Sequence, residues 1–169
     1  QSINISSLIV HIMAKTISRD VPLAEITLRR YERPANLSKR DLLRKLCLSL
    51  GLLQPGDSRD VIVDILHTTL QASKKRNHLT LPEIEQRVIN SRKQLKLPLV
   101  GVTPPNLTRQ IRRLKELSIL EKAPRGYRIV EFSKVRDLFE EKIQNILVPS
   151  INTRITEYLN KIDDEFSSV

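Results

Sequence analysis

The sequence predicts a mainly α-helical protein that also contains one β-hairpin. Apolar residues recur at helical spacing through most of the 169 residues, and only 4 glycines and 4% aromatic residues are present, which is unlike a β-barrel or β-sandwich. Hydrophobic residues make up 40% of the chain, so it can bury a core without disulfides or metals. The single cysteine, Cys47, lies within an apolar helical pattern and is expected to pack in that core.

The first part of the chain predicts two helices. Residues 1–12 precede the only methionine, which makes a natural start, and are expected to be a disordered or upstream extension. Apolar and charged residues alternate within residues 22–32, which predicts a short helix there. Ser38 is expected to cap a longer helix that ends at Gly51. We therefore assign residues 13–56 to an N-terminal helical segment, a packed pair of helices.

Two further helices follow, with a short strand between them. Asp57 or Ser58 is expected to cap the first of these helices. Its apolar stripe is followed by a basic cluster that ends at Arg76. Residues 78–80 predict a brief strand. Thr80 is expected to cap the second helix, which begins with a proline and a glutamate in its first turn.

The next segment predicts one more helix and a hairpin. Thr103 is expected to cap a helix over residues 104–117, which places leucine and isoleucine on one side and arginine on the other. Residues 119–122 and 127–131 predict two short strands. Gly126 lies in the turn between them, where a positive φ would be needed.

The order of these elements is helix, strand, helix, helix, strand, basic turn, strand, which is that of a winged helix-turn-helix. In that arrangement the third helix enters the DNA major groove, while the hairpin wing lies against the backbone or the minor groove. Residues 57–131 are therefore predicted to form a winged helix-turn-helix DNA-binding domain. Its recognition helix would be residues 104–117 and its wing residues 119–131.

The last segment, residues 132–169, predicts helices for dimerisation. Residues 133–164 form one long helix kinked at Pro149, or two helices in succession. Their apolar stripe must be buried somewhere, and we favour a twofold homodimer over packing against the chain's own core. The residues predicted to form the dimer contact are Val135, Leu138, Phe139, Ile146, Leu147, Ile151, Ile155 and Leu159.

The charge distribution points to a polyanionic partner. The chain has a formal net charge of +10 and a pI near 10.0. Residues 1–130 contain 24 basic and 11 acidic side chains, a balance of +13, whereas residues 131–169 contain 5 and 8, a balance of −3. The basic part of the chain is expected to attract nucleic acid, and the acidic end is unsuited to it.

Arginine suits the predicted DNA contact because its planar guanidinium can bind a guanine edge or a phosphate through two hydrogen bonds. A merely solvated basic helix face is the competing interpretation. The recognition-helix candidates are Asn106, Thr108, Arg109, Arg112 and Arg113, and the wing candidates are Lys122, Arg125 and Arg128. Additional phosphate contacts are expected from Arg87, Arg92, Lys93, Lys39 and Arg40.

Three segments resemble a family of archaeal winged helix-turn-helix proteins that are predicted transcriptional regulators. They are "SRDVPLAEITLRRYE", "LSKRDLLRKLCLSLGLLQPGDSRDVIVDIL" and "NLTRQIRRLKEL", and the similarity covers residues 13–165. The resemblance implies DNA binding without indicating which genes or signals are involved. The loop at residues 96–102 departs from the simplest helix-turn-helix because it is longer than a tight turn.

Other classes of function find little support in the sequence. His11, His67 and His78 are scattered and no catalytic or phosphate-binding motif is present, so we expect no enzyme activity, no metal and no cofactor. The apolar run near the start is too short to span a bilayer, which favours a cytoplasmic, nucleoid-associated protein. The alternatives are a winged-helix module that binds protein or RNA in a larger assembly and, less favoured, an architectural chromatin protein. No effector class is indicated.

Overall fold

The computed structural model describes residues 20–167. It is mainly helical and contains one two-stranded antiparallel sheet, as the sequence predicts. The prediction for residues 1–12 lies outside the described residues. Four helices come first, namely α1 (Lys39–Ser49), α2 (Val61–Lys74), α3 (Leu81–Gln94) and α4 (Pro104–Glu116). They are followed by β1 (Leu120–Ala123), β2 (Gly126–Ile129), a 3-10 turn (Val130–Phe132), α5 (Val135–Leu138), a π-helical segment (Phe139–Leu147) and α6 (Val148–Phe166).

The starts of α1 and α3 are set by the predicted capping residues. The backbone N–H of Asp41 donates a hydrogen bond to Oγ of Ser38 at 3.1 Å. At α3, the backbone N–H of Glu83 donates to Oγ1 of Thr80 at 3.4 Å, and the N–H of Thr80 donates to Oε2 of Glu83 at 2.7 Å. This hydrogen bond from the backbone of Thr80 lowers the pKa of Glu83. Both capping predictions are confirmed.

The start of α2 differs from the prediction, and the expected cap at Asp57 or Ser58 is wrong. The helix begins at Val61, after Asp60, whose side chain makes no capping hydrogen bond. The carboxylate of Asp60 forms an ion pair with Arg40 at 3.0 Å instead. Asp57 accepts a hydrogen bond from the backbone N–H two residues later, at 2.9 Å, which is a local turn rather than a cap.

The helix predicted over residues 22–32 is also wrong, because this segment has no helical structure and lies against the end of α1. The backbone N–H of Arg29 donates to the carbonyl of Ser49 at 2.8 Å, and its Nη1 donates to the carbonyl of Leu48, also at 2.8 Å. These bonds satisfy carbonyl groups that the end of a helix leaves free. Leu23 is 97% exposed, so the apolar spacing that suggested a helix does not correspond to a buried face.

The core lies between α2, α3, α4 and the hairpin. The end of α1 also contributes, and Cys47 is fully buried there. Burial raises the pKa of the Cys47 thiol to about 12, so the thiol stays protonated and acts as an apolar packing group, as predicted. Large core side chains include Ile62, Ile65 and Leu66 of α2, Ile84 and Val88 of α3, Leu107, Ile111 and Leu114 of α4, and Leu120 and Ile129 of the hairpin.

The hairpin is extended by a single residue of the segment before α3. The N–H of Leu79 donates to the carbonyl of Tyr127 at 2.9 Å, and the N–H of Tyr127 donates back at 2.8 Å. The brief strand expected over residues 78–80 is therefore reduced to one bridge. Gly126 has a φ of +131°, and a Cβ atom there would lie 2.5 Å from the carbonyl oxygen of Leu79.

Replacing Gly126 with alanine is expected to lower the free energy of unfolding by about 2 kcal/mol, since the side chain adds backbone strain and a steric clash. Gly56→Ala is the matched control. Gly56 also has a positive φ, of +80°, but a Cβ atom there would meet nothing within 4 Å, so this variant reports strain alone. Urea denaturation of both variants gives the difference, and equal losses would show that the bridge to Leu79 is not tightly packed.

Residues 135–166 run through α5, the π-helical segment and α6 without interruption. The first part packs against the core, where Leu138 and Ile143 are buried, whereas every residue from 152 to 167 is exposed. The geometry changes from π to α between Leu147 and Val148, and Pro149 lies in the first turn of α6. No helix in the described part of the chain has both the length and the apolar character needed to cross a membrane.

Candidate nucleic-acid interface

Helix α4 presents one apolar face to the core and one basic face to solvent, as predicted. Leu107, Ile111 and Leu114 are buried beneath the helix. After Pro104, the exposed side chains recur every three or four residues, singly or as adjacent pairs, and therefore share the opposite face. They are Pro105, Thr108, Arg109, Arg112, Lys115 and Glu116. We call Thr108, Arg109, Arg112 and Lys115 the basic face of α4.

The two exposed arginines of this face make only weak or local contacts. Nη2 of Arg109 donates to Oδ1 of Asn106 at 2.8 Å, and Nε of Arg112 lies 3.6 Å from Oε1 of Glu116. An exposed ion pair one turn apart stabilises a helix little, and each guanidinium retains further N–H donors. Both side chains can therefore bind an external acceptor without breaking a buried contact.

Asn106 is placed differently from the arginines. Its Nδ2 donates to the carbonyl of Gly101 at 2.7 Å, and its Oδ1 accepts from Arg109 and, at 3.1 Å, from Gln110. Asn106 is half-buried. Asn106 was predicted to contact a base. Here its side chain joins the preceding loop to α4 and orients Arg109, and a base contact would compete with these hydrogen bonds.

Arg113 turns inward, which corrects its assignment as a residue that contacts the groove. Its Nη2 donates to the carbonyl of Gly51, 3.0 Å away in the turn after α1, and its Nη1 donates to Gln110 at 2.9 Å. The side chain is half-buried. These hydrogen bonds attach α4 to the N-terminal part of the chain, so Arg113 positions the helix.

In the hairpin, Lys122 and Arg125 are exposed, whereas Arg128 is engaged within the fold. Nε of Arg128 lies 2.7 Å from Oε1 of Glu121, and its guanidinium carbon is 4.9 Å from the centre of the Phe132 ring. A hydrogen bond from the backbone N–H of Glu131 lowers the pKa of Glu121, and the neighbouring Arg128 lowers it further. The Glu121 carboxyl is therefore ionised at neutral pH and maintains the ion pair. The prediction of Arg128 as a wing contact is corrected because the hairpin itself uses this side chain.

Basic side chains converge beneath the hairpin turn. Arg125 lines one cleft together with Arg76 and Arg87. Arg87 was predicted as an additional phosphate contact, and it is exposed here. Sequence reasoning missed Arg76 because a cation after the end of a helix is already explained by the helix dipole.

A second cleft lies beside the start of α4 and adds another residue that sequence reasoning missed. Arg59 lines it together with Asn106 and Arg109. The Arg59 side chain is 72% exposed, and its contact with Asp57 is long, at 3.7 Å. The sequence offers no signal for Arg59, since only the tertiary fold brings the segment before α2 next to α4.

The other predicted phosphate contacts divide into exposed and buried residues. Lys39 and Lys93 are exposed. Arg92 is 1% exposed, and its Nη1 pairs with Asp64 and, at 3.1 Å, with Asp60. Arg40 joins the same two carboxylates at 2.9 and 3.0 Å. The predictions for Arg92 and Arg40 are wrong because both guanidinium groups belong to this ion-pair network.

The network also positions α4. Nε of Arg92 donates to the carbonyl of Pro98 at 2.7 Å, which fixes the loop between α3 and α4. Every buried side-chain nitrogen and oxygen among residues 20–167 has a hydrogen-bond partner. A signal for this role exists in the sequence, because Arg92 follows Ile84 and Val88 at helical spacing and so lies on the buried stripe of α3.

The predicted dimer contact is split by the structure. Leu138 is buried in the chain's own core, so its assignment to a dimer contact is corrected. Phe139 packs partly against the same core, and Val135 is half-buried. Leu147 and Ile151 are half-buried. Ile146, Ile155 and Leu159 are exposed, as are Tyr158, Ile162 and Phe166, which were not among the predicted contacts.

Comparison of the chain with family models, with curated proteins and with solved structures gives no match.

Proposed function

We propose that the protein is a sequence-specific double-stranded DNA-binding transcriptional regulator of the winged helix-turn-helix class, acting as a homodimer. The observation that carries the proposal is the basic face of α4, exposed above a buried apolar side. A single helix of this kind fits the width of the major groove. The resemblance of three segments to archaeal regulators points to the same class.

The order of elements supports the winged-helix assignment. The bridge at Leu79 precedes α3, and the β1–β2 hairpin follows α4 directly, which is the order expected for a core with one wing. In this proposal Arg109 and Arg112 contact base edges. Arg125, Lys122 and Arg87 bind phosphates and so fix the position of the protein without reading sequence.

The corrected roles of the other arginines fit the same proposal. Arg92 and Arg113 hold the loop before α4 and the helix itself, and a recognition helix must be held rigidly if it is to distinguish base pairs. In a homodimer, two such helices about 34 Å apart would read a palindromic site. The protein would then bind DNA with a defined half-site spacing.

Fluorescence anisotropy with duplexes selected from a random pool tests this function. With about six phosphate contacts, the logarithm of the affinity should fall with the logarithm of the salt concentration at a slope of about −5. Selection should also enrich one sequence. Binding that shows this slope but no preferred sequence would favour an architectural role, and failure to bind any duplex would contradict the proposal.

A protein or RNA interaction module is the second candidate, and one observation favours it. Leu95, Leu99 and Val100 are exposed in the loop before α4, where contact with DNA alone would not require apolar side chains. The same titration with RNA hairpins separates the RNA form of this candidate from DNA binding. Association of a protein partner that depends on Leu99 would support its protein form.

A further inference from the structure

We infer that α6 of one protomer binds in an apolar groove on the other protomer, and that this exchange, made twice, holds the homodimer together. The inference rests on the homodimer of the proposed function and specifies how it forms. It combines two apolar surfaces that the described part of a single chain leaves uncovered. One is the groove between α1 and the C-terminal helices, and the other is a stripe along α6.

The apolar groove has a volume of about 550 Å³. Most of its lining side chains are apolar, and they come from the extended N-terminal segment, α1, the residue before β1, α5 and the π-helical segment. They include Leu28, Leu46, Ile119, Val135, Phe139 and Ile143. Leu28 is 49% exposed at its edge. The groove thus lies on the side of the core where the C-terminal helices leave it.

The α6 stripe consists of Ile155, Tyr158, Leu159, Ile162 and Phe166. Their spacing places them on one face of the helix, and each is at least half exposed. A helix of 19 residues is about 28 Å long and projects beyond the core, so residues 20–167 of its own protomer do not cover this face. A contiguous apolar stripe of this length on a helix marks an interaction surface.

The charges of the two surfaces favour a second copy of the chain as the occupant. Helix α6 contains four carboxylates and two cations. The two charged residues that line the groove are Arg29 and Arg136. Asp163 follows Ile162 at the edge of the stripe. Among the described residues, neither Asp163 nor Arg136 takes part in an ion pair. Binding of α6 in the groove would bring Asp163 of one protomer close to Arg136 of the other.

A twofold dimer uses both surfaces of both protomers. Each protomer contributes one stripe and one groove, so the exchange leaves neither exposed. Direct pairing of two α6 helices would bury the stripes but leave both grooves open. The two arrangements can therefore be distinguished by substitutions in the groove.

Sedimentation equilibrium of the intact protein without DNA tests the exchange. Leu28→Glu alters the groove and Ile155→Glu alters the stripe, and both residues are about half exposed in the protomer, so neither change should unfold it. Each is expected to raise the dimer dissociation constant about tenfold or more. Asn160→Glu adds the same charge to α6 on the face away from the stripe and should have little effect.

Mixing the two variants gives the sharpest outcome. In a mixed dimer, the unaltered stripe of the Leu28→Glu chain meets the unaltered groove of the Ile155→Glu chain, so mixed dimers should form more readily than either variant pairs with itself. Arg136→Glu should weaken the dimer, and adding Asp163→Arg should restore it.

A monomeric wild-type protein, or a dimer that Ile155→Glu disrupts while Leu28→Glu leaves it intact, would overturn the exchange. Because no DNA is present, these outcomes are independent of whether the protein binds a duplex.

Discussion

Replacing Asp64 with asparagine is expected to lower the free energy of unfolding by about 3–5 kcal/mol. The Asp64 side chain is completely buried and pairs with both Arg92 and Arg40. Asparagine has nearly the same shape but no charge, so Arg92 would stay buried with only Asp60 to balance it. An uncompensated buried charge is far more costly than a lost surface contact. Chemical denaturation monitored by circular dichroism measures the loss.

Two further variants show whether the loss arises from the buried charge. Glu165→Gln removes an exposed ion pair with Lys161 and should leave the midpoint of denaturation nearly unchanged. Replacing Asp64 with leucine and Arg92 with methionine together removes both buried charges and should recover much of the stability. If Asp64→Asn shifted the midpoint no more than Glu165→Gln does, the network would not be a principal support of the fold.

Replacing Arg109 and Arg112 with alanine together is expected to weaken binding to the preferred duplex about 100-fold or more, at roughly 1–3 kcal/mol for each base contact. Sequence preference should fall with affinity, because these side chains would contact base edges. Both are exposed, so the fold should be retained. Competition between the preferred duplex and an unrelated one, for wild type and variant, measures the two effects separately.

The controls for this prediction separate base reading from overall charge. Replacing Arg154 and Lys161 of α6 with alanine removes the same number of exposed cations far along the chain from α4 and should change affinity little. Arg125→Ala should weaken all duplexes alike, since a phosphate contact conveys no sequence information. Equal losses from the α4 and the α6 pairs would mean that binding follows net charge rather than the basic face of α4.

Several features that depend on neighbouring residues were predictable from the sequence. The caps at Ser38 and Thr80 follow from the affinity of a side-chain oxygen for a free N–H at a helix start. The two faces of α4 follow from helical spacing. The hairpin turn at Gly126 follows from the conformational freedom of glycine. These features define most of the basic face and of the hairpin.

Features that depend on distant residues were not predictable. Arg29 holds residues 22–32 extended through bonds to the end of α1, which compete with helix formation. Arg113 reaches a carbonyl 62 positions earlier in the chain. The burial of Arg92 could be expected from its place on the apolar stripe of α3, but its partners, carboxylates 28 and 32 positions earlier, could not be identified. Nothing in the sequence of residues 139–147 predicts their π geometry.

Dimethyl sulfate footprinting of the preferred duplex tests most directly whether α4 lies in the major groove. The reagent methylates guanine at N7, an atom that the major groove exposes and that an arginine of a recognition helix would cover. The wild-type protein should protect guanines in two clusters about one helical turn apart, and the Arg109→Ala, Arg112→Ala variant should lose that protection at concentrations where it still occupies the duplex. Tight binding with every guanine N7 left reactive would contradict the placement of α4.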